Sequence, residues 1–137
     1  MKAGVFGSGS WGTALAQVLC DNGAEVLVYG RNREEVEEIS NAHQNSRYFG
    51  DIRISPLIRA TCETEALSEY ADLFLLAVPA QAIPETVEKI KPYIRPDTLI
   101  VNAAKGFEKG TTKRLSVCIR DALNGQAHRE IVSLIGP

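Results

Sequence analysis

Apolar residues follow two alternating rhythms along this chain. Short apolar runs stand at Lys2 to Phe6, Glu25 to Tyr29, Arg59 to Thr61, Leu73 to Val78, Leu99 to Asn102 and Ile131 to Ile135. Between them, apolar residues recur every three or four positions, the spacing of a helix with one buried stripe. Trp11, Ala14, Leu15, Val18 and Leu19 mark the first such stripe, and Asn22-Gly23 is a fitting stop for it. Asn32 with Glu35 three residues on has the form of a capping box, and Val36 and Ile39 give the next helix its buried edge. Thr64 to Tyr70 has weak helical character. Ile83, Val87, Ile90 and Ile94 mark a helix that Pro92 disturbs near its end, and Leu115, Cys118, Ile119, Ala122 and Leu123 mark a last one, capped by Asn124-Gly125. Leu73 to Val78 does not alternate, which predicts burial on both faces. Residues 41 to 57 are polar and irregular and form a long connection. Strands separated by helices predict an α/β fold with a doubly wound, mainly parallel sheet.

The segment between the first strand and first helix narrows the chemistry. Residues 7 to 12 read Gly7-Ser8-Gly9-Ser10-Trp11-Gly12, a G-x-G-x-x-G run. Gly7 permits a sharp turn, Gly9 lets backbone approach a phosphate, and Gly12 lets the helix pack closely on the sheet. The N-terminus of the helix then offers N–H groups and a positive dipole end to an anion. Glycine-rich turns are common by themselves; the strand before this one and the helix after it point to a dinucleotide site. In such sheets ligands lie beyond the C-terminal strand ends, so Pro79 to Gln81, Ala103 to Gly106 and Gly136-Pro137 belong to the same region.

A carboxylate near the end of the second strand is the usual partner of the ribose 2′-hydroxyl in NAD sites. Here the strand ends Tyr29-Gly30-Arg31-Asn32-Arg33. Gly30 leaves room, and Arg31 and Arg33 supply positive charge that an arginine fork can bring to a 2′-phosphate. NADP or NAD is therefore the expected cofactor, with NADPH preferred. Solvated loop arginines are the alternative for both. The acidic group Glu34, Glu35, Glu37 and Glu38 reads as a solvated helix face.

With 137 residues, 45% hydrophobic and 23% charged, the chain is the size of one ordinary globular domain. A net charge of −2 gives no broad basic field for nucleic acid or an acidic membrane. No apolar run nears the ~20 residues that span a bilayer. Cys20, Cys62 and Cys118 are scattered, and His43 and His128 are isolated, so neither a disulfide framework nor a metal site is expected. The chain opens directly on a strand without a signal-peptide pattern, which together with reduced cysteines indicates the cytoplasm.

The glycine block, extended through Thr13-Ala14-Leu15-Ala16, resembles the opening of bacterial NAD(P)-dependent glycerol-3-phosphate dehydrogenase. The similarity continues in order through Asn45-Ser46-Arg47-Tyr48-Phe49, Ala77-Val78-Pro79-Ala80, Ala104-Lys105-Gly106-Phe107-Glu108 and Gly136-Pro137. The resemblance implies a Rossmann-type cofactor domain over residues 1–137 and a family reaction that interconverts dihydroxyacetone phosphate and sn-glycerol 3-phosphate for phospholipid synthesis. It implies that Ser10 and Trp11 line the pyrophosphate turn, Arg31 lies by the adenosine ribose, and Tyr48 and Pro79 border the cofactor. It makes Lys105 the catalytic candidate, touching cofactor and substrate, and gives Gly136 a backbone contact to substrate. An ammonium at a strand end can stabilise charge growing on a carbonyl oxygen; from spacing alone Lys105 is equally well a surface lysine. Trp11 sits on the apolar stripe, so part of its ring is expected in core packing. Asn45 and Asn102 either orient the site or cap local turns.

The resemblance also implies a helical substrate domain that these residues do not include. The 137 residues alone are thus expected to bind NADP(H) but to turn over dihydroxyacetone phosphate poorly or not at all. An apolar face left without that domain is open to self-association, including a homodimer. The alternatives are a related two-domain reductase, such as a ketopantoate reductase or hydroxyacid dehydrogenase, and a non-catalytic NAD(P)-sensing module. The Lys105 and Asn45 to Phe49 blocks weigh against the first, and a reductase-type lysine against the second.

Overall fold

The computed structural model describes residues 1–104, 119, 123 and 130–133. Its sheet contains β1 (Lys2–Phe6), β2 (Glu25–Tyr29), β3 (Ile58–Thr61), β4 (Leu73–Leu76), β5 (Leu99–Asn102) and β6 (Glu130–Ser133). The order across the sheet is β3-β2-β1-β4-β5-β6, and every neighbouring pair is parallel. Parallel neighbours cannot be joined by a tight turn, so each connection crosses a face of the sheet. The crossings described carry α1 (Ser10–Asp21), α2 (Arg33–Glu37), α3 (Ser46–Phe49), α4 (Thr64–Tyr70) and α5 (Ile83–Ile90). Strand order reverses between β1 and β4, the position at which open α/β sheets form a crevice.

Alternate strand residues face opposite sides, and the core divides accordingly. Ala3, Val5, Val26, Val28, Leu73, Leu75 and Val101 join Ala16 of α1 and Ile39 on one face. Phe6, Leu27, Phe74, Leu76 and Ile100 join Leu67 of α4 and Ile83, Val87 and Ile90 of α5 on the other. All of β4 is buried, as its unbroken apolar run requires. Gly4 lets α4 lie directly on β1: a Cβ there would overlap the side chains of Leu67 and Ala71. Ile119 and Leu123, from the expected last helix, are buried in the same cluster; the rest of that stripe and its Asn124-Gly125 cap lie outside the described residues.

Several expected boundaries move. The stripe of α1 is rotated: Gly12, Thr13 and Ala16 are its buried residues, whereas Trp11 is 42% and Val18 53% exposed. The cause is the closeness of α1 to the glycine turn, since a Cβ on Gly12 would strike the Gly7 carbonyl oxygen. Only small side chains fit that gap, so the indole is left outside it. Helix α2 passes into a π-helical turn at Glu38–Ala42, which His43 ends in a left-handed conformation. Residues 41 to 57 are less irregular than expected. They contain α3 and an antiparallel bridge between Gln44 and Arg53, and they send Ile54 into the core. Strand β4 ends at Leu76, two residues early, because Ala77 and Val78 turn out toward the crevice. α5 stops at Ile90, and Pro92 sits in the 3-10 turn Lys91–Tyr93 that follows. β6 runs Glu130–Ser133, beginning one residue before the expected run.

Candidate functional site

The crevice is built from strand ends held level by continuing ladder bonds. Just beyond each strand, one more amide donates to the neighbour: Gly7 N to Tyr29 O (3.0 Å), Gly30 N to Thr61 O (3.0 Å), Ala77 N to Phe6 O (2.8 Å) and Ala103 N to Leu76 O (2.9 Å). Four segments therefore leave the sheet at one edge, and between them opens a cleft of about 1100 Å³. That volume suits a ligand larger than a single small metabolite. Lining it are the whole glycine turn, the Tyr29–Asn32 strand end with Glu35, Arg47–Phe49, Ala77–Ala80, and Ala103 with Ala104.

The glycine turn depends on missing side chains. Gly7 has φ +120°, and a Cβ there would stand 2.6 Å from the Ala77 carbonyl oxygen. The first turn of α1 opens into the cleft; its N-cap residue, Gly9, supplies no side-chain cap. In contrast to Gly7, Gly9 has an ordinary φ of −74°, and a Cβ on it would meet nothing nearer than the Tyr48 hydroxyl oxygen at 3.9 Å. The space above Gly9 is thus vacant for a ligand while the space around Gly7 and Gly12 is filled by backbone. This arrangement fits a diphosphate pressed against the helix N-terminus.

The turn is fixed from below by a residue 37 positions away. Asn45 is fully buried, and its Nδ2 donates to the Ser8 carbonyl (2.8 Å) and to Thr13 Oγ1 (3.0 Å). Thr13 Oγ1 in turn donates to the same Ser8 carbonyl at 3.2 Å. Backbone O of Asn45 accepts from Tyr48 and Phe49 at the start of α3, but its side chain caps no turn there, so of the two roles open to it in the sequence the side chain takes the orienting one. Asn102 has the local role: its side chain accepts from Ala104 N at 3.1 Å, shaping the turn that leaves β5.

Other candidates fall as follows. Ser10 and Trp11 line the cleft, and the half-exposed indole donates from Nε1 to the Ala103 carbonyl at 2.8 Å, spanning from α1 to the end of β5. The core-packing role expected for the Trp11 ring is therefore replaced by a bridging one. Tyr48 also lines the cleft and carries the Arg47 guanidinium 5.5 Å from its ring centre. Pro79 also lines the cleft, just beyond the end of β4. Arg31 lines the β2 end, whereas Arg33 begins α2, exposed and outside the lining. The room Gly30 was expected to leave for a ligand is occupied: a Cβ there would be 2.7 Å from Ser8 Oγ and 3.0 Å from Val36 Cγ2. Lys105 and Gly136 lie outside the described residues, as do Cys118 and His128. Cys20 is half-buried with its thiol 3.3 Å from Ser55 Oγ, and Cys62 is free.

Arg47 and Glu35 are lining residues that the sequence did not mark. Arg47 belongs to an irregular stretch without periodicity, and Glu35 to an acidic run that looks solvated. Among the described residues, no three His, Cys, Asp or Glu side chains group to hold a metal, and no helix is long and apolar enough to cross a membrane.

A parallel sheet reversing at β1/β4, with a glycine turn and open helix N-terminus at the reversal, defines a dinucleotide-binding domain of the Rossmann type. The chain belongs to the family described as NAD-dependent glycerol-3-phosphate dehydrogenase N-terminus, whose model matches residues 2–137. It is 38% identical over 136 residues to glycerol-3-phosphate dehydrogenase [NAD(P)+] of Staphylococcus carnosus, covering 99% of this chain and 41% of that protein. The corresponding Desulfitobacterium hafniense protein is 40% identical over 136 residues, with 99% and 38% covered. The crystal structure of glycerol-3-phosphate dehydrogenase from Coxiella burnetii superposes with a TM-score of 0.81 at 29% identity, over 95% of this chain and 38% of that one. The chain thus spans about two fifths of the length of these relatives.

Proposed function

We propose that these residues form the NAD(P)H-binding half of an oxidoreductase that interconverts dihydroxyacetone phosphate and sn-glycerol 3-phosphate. The observation that carries the proposal is the vacant space above Gly9, facing the N-terminus of α1 inside a cleft of dinucleotide size. A nicotinamide cofactor held in this cleft would supply the hydride for reduction of the ketone carbon. The protein's own work is binding, orientation and charge control. The first turn of α1, through Ser10, Trp11 and Gly12, holds the diphosphate. Asn45 keeps that turn in place before the ligand arrives, so little ordering remains to be done on binding. Arg31 meets a 2′-phosphate, which favours NADPH; the placement of Arg33 outside the lining leaves that task to Arg31. Tyr48 and Arg47 close one side of the cofactor, and Pro79 and Ala103 border the other.

Lys105 directly follows Ala104, a residue of the cleft wall. Its ammonium stabilises the negative charge that grows on the carbonyl oxygen as hydride arrives, and Gly136 offers backbone to the substrate. The grip on the substrate phosphate and the final proton are left to a helical substrate domain of the kind the family resemblance implies.

The test is a titration of the 137-residue chain with NADPH and NADH, followed through its single tryptophan, then addition of dihydroxyacetone phosphate. The expected result is saturable quenching by both, tighter for NADPH, with turnover slight or nil. Equal or tighter binding of NADH refutes the NADPH preference. Rapid turnover refutes the division of labour, and failure to bind either cofactor refutes the proposal.

A further inference from the structure

Among the described residues that line the cleft, Glu35 is the single acidic one, and its Oε1 is buried without a hydrogen-bond partner. Its acidic neighbours are placed differently. Glu34 and Glu37 are exposed, and Glu38 accepts from Ser46 N at 2.9 Å. The capping box that the sequence predicts is half formed. Asn32 Oδ1 accepts from Glu34 N (2.9 Å) and Glu35 N (3.2 Å), but Glu35 Oε1 takes no bond from Asn32 in return. A buried carboxylate oxygen left in this state is costly unless a donor reaches it. Arg31 and Asn32 line the same end of the cleft, beyond β2, where the adenosine ribose of a dinucleotide falls.

We propose that Glu35 accepts a hydrogen bond from the adenosine ribose and thereby sets the balance between the two cofactors against Arg31. The inference rests on the function proposed above. An ionised carboxylate only accepts, and a ribose 2′-hydroxyl can donate to it. A 2′-phosphate is itself an anionic acceptor, so the same carboxylate repels it while Arg31 attracts it. The two residues pull in opposite directions on the one chemical difference between NADH and NADPH. Glu35 stands in the first turn of α2, past the strand end where the sequence places no carboxylate, and so escapes a search confined to that position.

The experiment compares dissociation constants of NADH and NADPH for the unaltered chain and Glu35→Gln. Glutamine keeps the size and an acceptor but removes the charge. NADH should bind about 5-fold more weakly, as a charge-assisted bond becomes a neutral one, and NADPH about 5-fold more tightly as repulsion is lost. The ratio of the two constants therefore moves by roughly 25-fold toward NADPH. Thermal unfolding is measured alongside, because a purely structural role changes stability without changing that ratio. Glu35→Asp retracts the charge and serves if glutamine prevents folding; it too should weaken NADH relative to NADPH. An unchanged ratio in a folded variant overturns the inference while leaving cofactor binding intact. Binding of neither cofactor by the unaltered chain overturns the proposed function, and the inference with it.

Discussion

Replacing Gly9 by alanine separates the seat of the diphosphate from the stability of the fold. Gly9 has backbone angles (φ −74°, ψ −170°) that any residue adopts, and an added Cβ meets nothing closer than 3.9 Å. The folded chain should therefore tolerate Gly9→Ala with a Tm change of no more than a few degrees. The methyl group, however, occupies the space through which a phosphate reaches the first turn of α1. Losing two charge-assisted bonds from backbone N–H groups costs about 3 kcal/mol, or roughly 100-fold in Kd. Gly7→Ala is the contrasting change. At φ +120° with its Cβ 2.6 Å from the Ala77 carbonyl oxygen, it must distort the β1–β4 junction. A strain of about 2 kcal/mol lowers Tm by roughly 6–10 °C. The assay is thermal unfolding by circular dichroism, paired with NADPH titration of each folded variant by calorimetry. A Gly9→Ala chain that binds NADPH as tightly as the unaltered one refutes the placement of the diphosphate over this residue.

Three further changes probe the supports of the site. Asn45→Ala removes both bonds from Nδ2 to the glycine turn and opens a small cavity; a loss of about 1–3 kcal/mol in urea unfolding is expected, with weaker NADPH binding as the turn loosens. Arg31→Ala should weaken NADPH about 10-fold or more and leave NADH within 2-fold, read by competitive titration. Gly4→Ala forces a methyl against Leu67 and Ala71 beneath β1, so it should cost about 2–3 kcal/mol in urea unfolding without a change in the ratio of cofactor affinities.

The parts of the fold that were readable from residues alone are those set by local pattern. β1, β2 and the glycine turn follow from periodicity and turn chemistry, and β4 shows its double burial in an unbroken apolar run. What escaped depends on contacts distant in the chain. The face buried by α1 is decided by how closely Gly12 approaches Gly7, not by the strength of the apolar stripe, so Trp11 and Val18 end outside. Arg47 reaches the cleft, and Asn45 the underside of the glycine turn, because α3 folds back beside that turn; the sequence left the role of Asn45 open and did not mark Arg47, since nothing periodic in residues 41 to 57 announces that return. Glu35 shares its composition with neighbours that do face solvent, and only the position of one carboxylate oxygen distinguishes it. Gly30 shows the opposite error: its missing side chain makes room for Ser8 of the same chain, not for a ligand.

A crystal structure with NADPH bound tests the central claim most directly. The account predicts the diphosphate oxygens within hydrogen-bond distance of the first-turn N–H groups of α1 above Gly9, with the adenosine ribose lying between Arg31 and Glu35. A dinucleotide bound with its diphosphate away from Gly9, or with its adenosine end at Pro79 in place of Arg31, contradicts it.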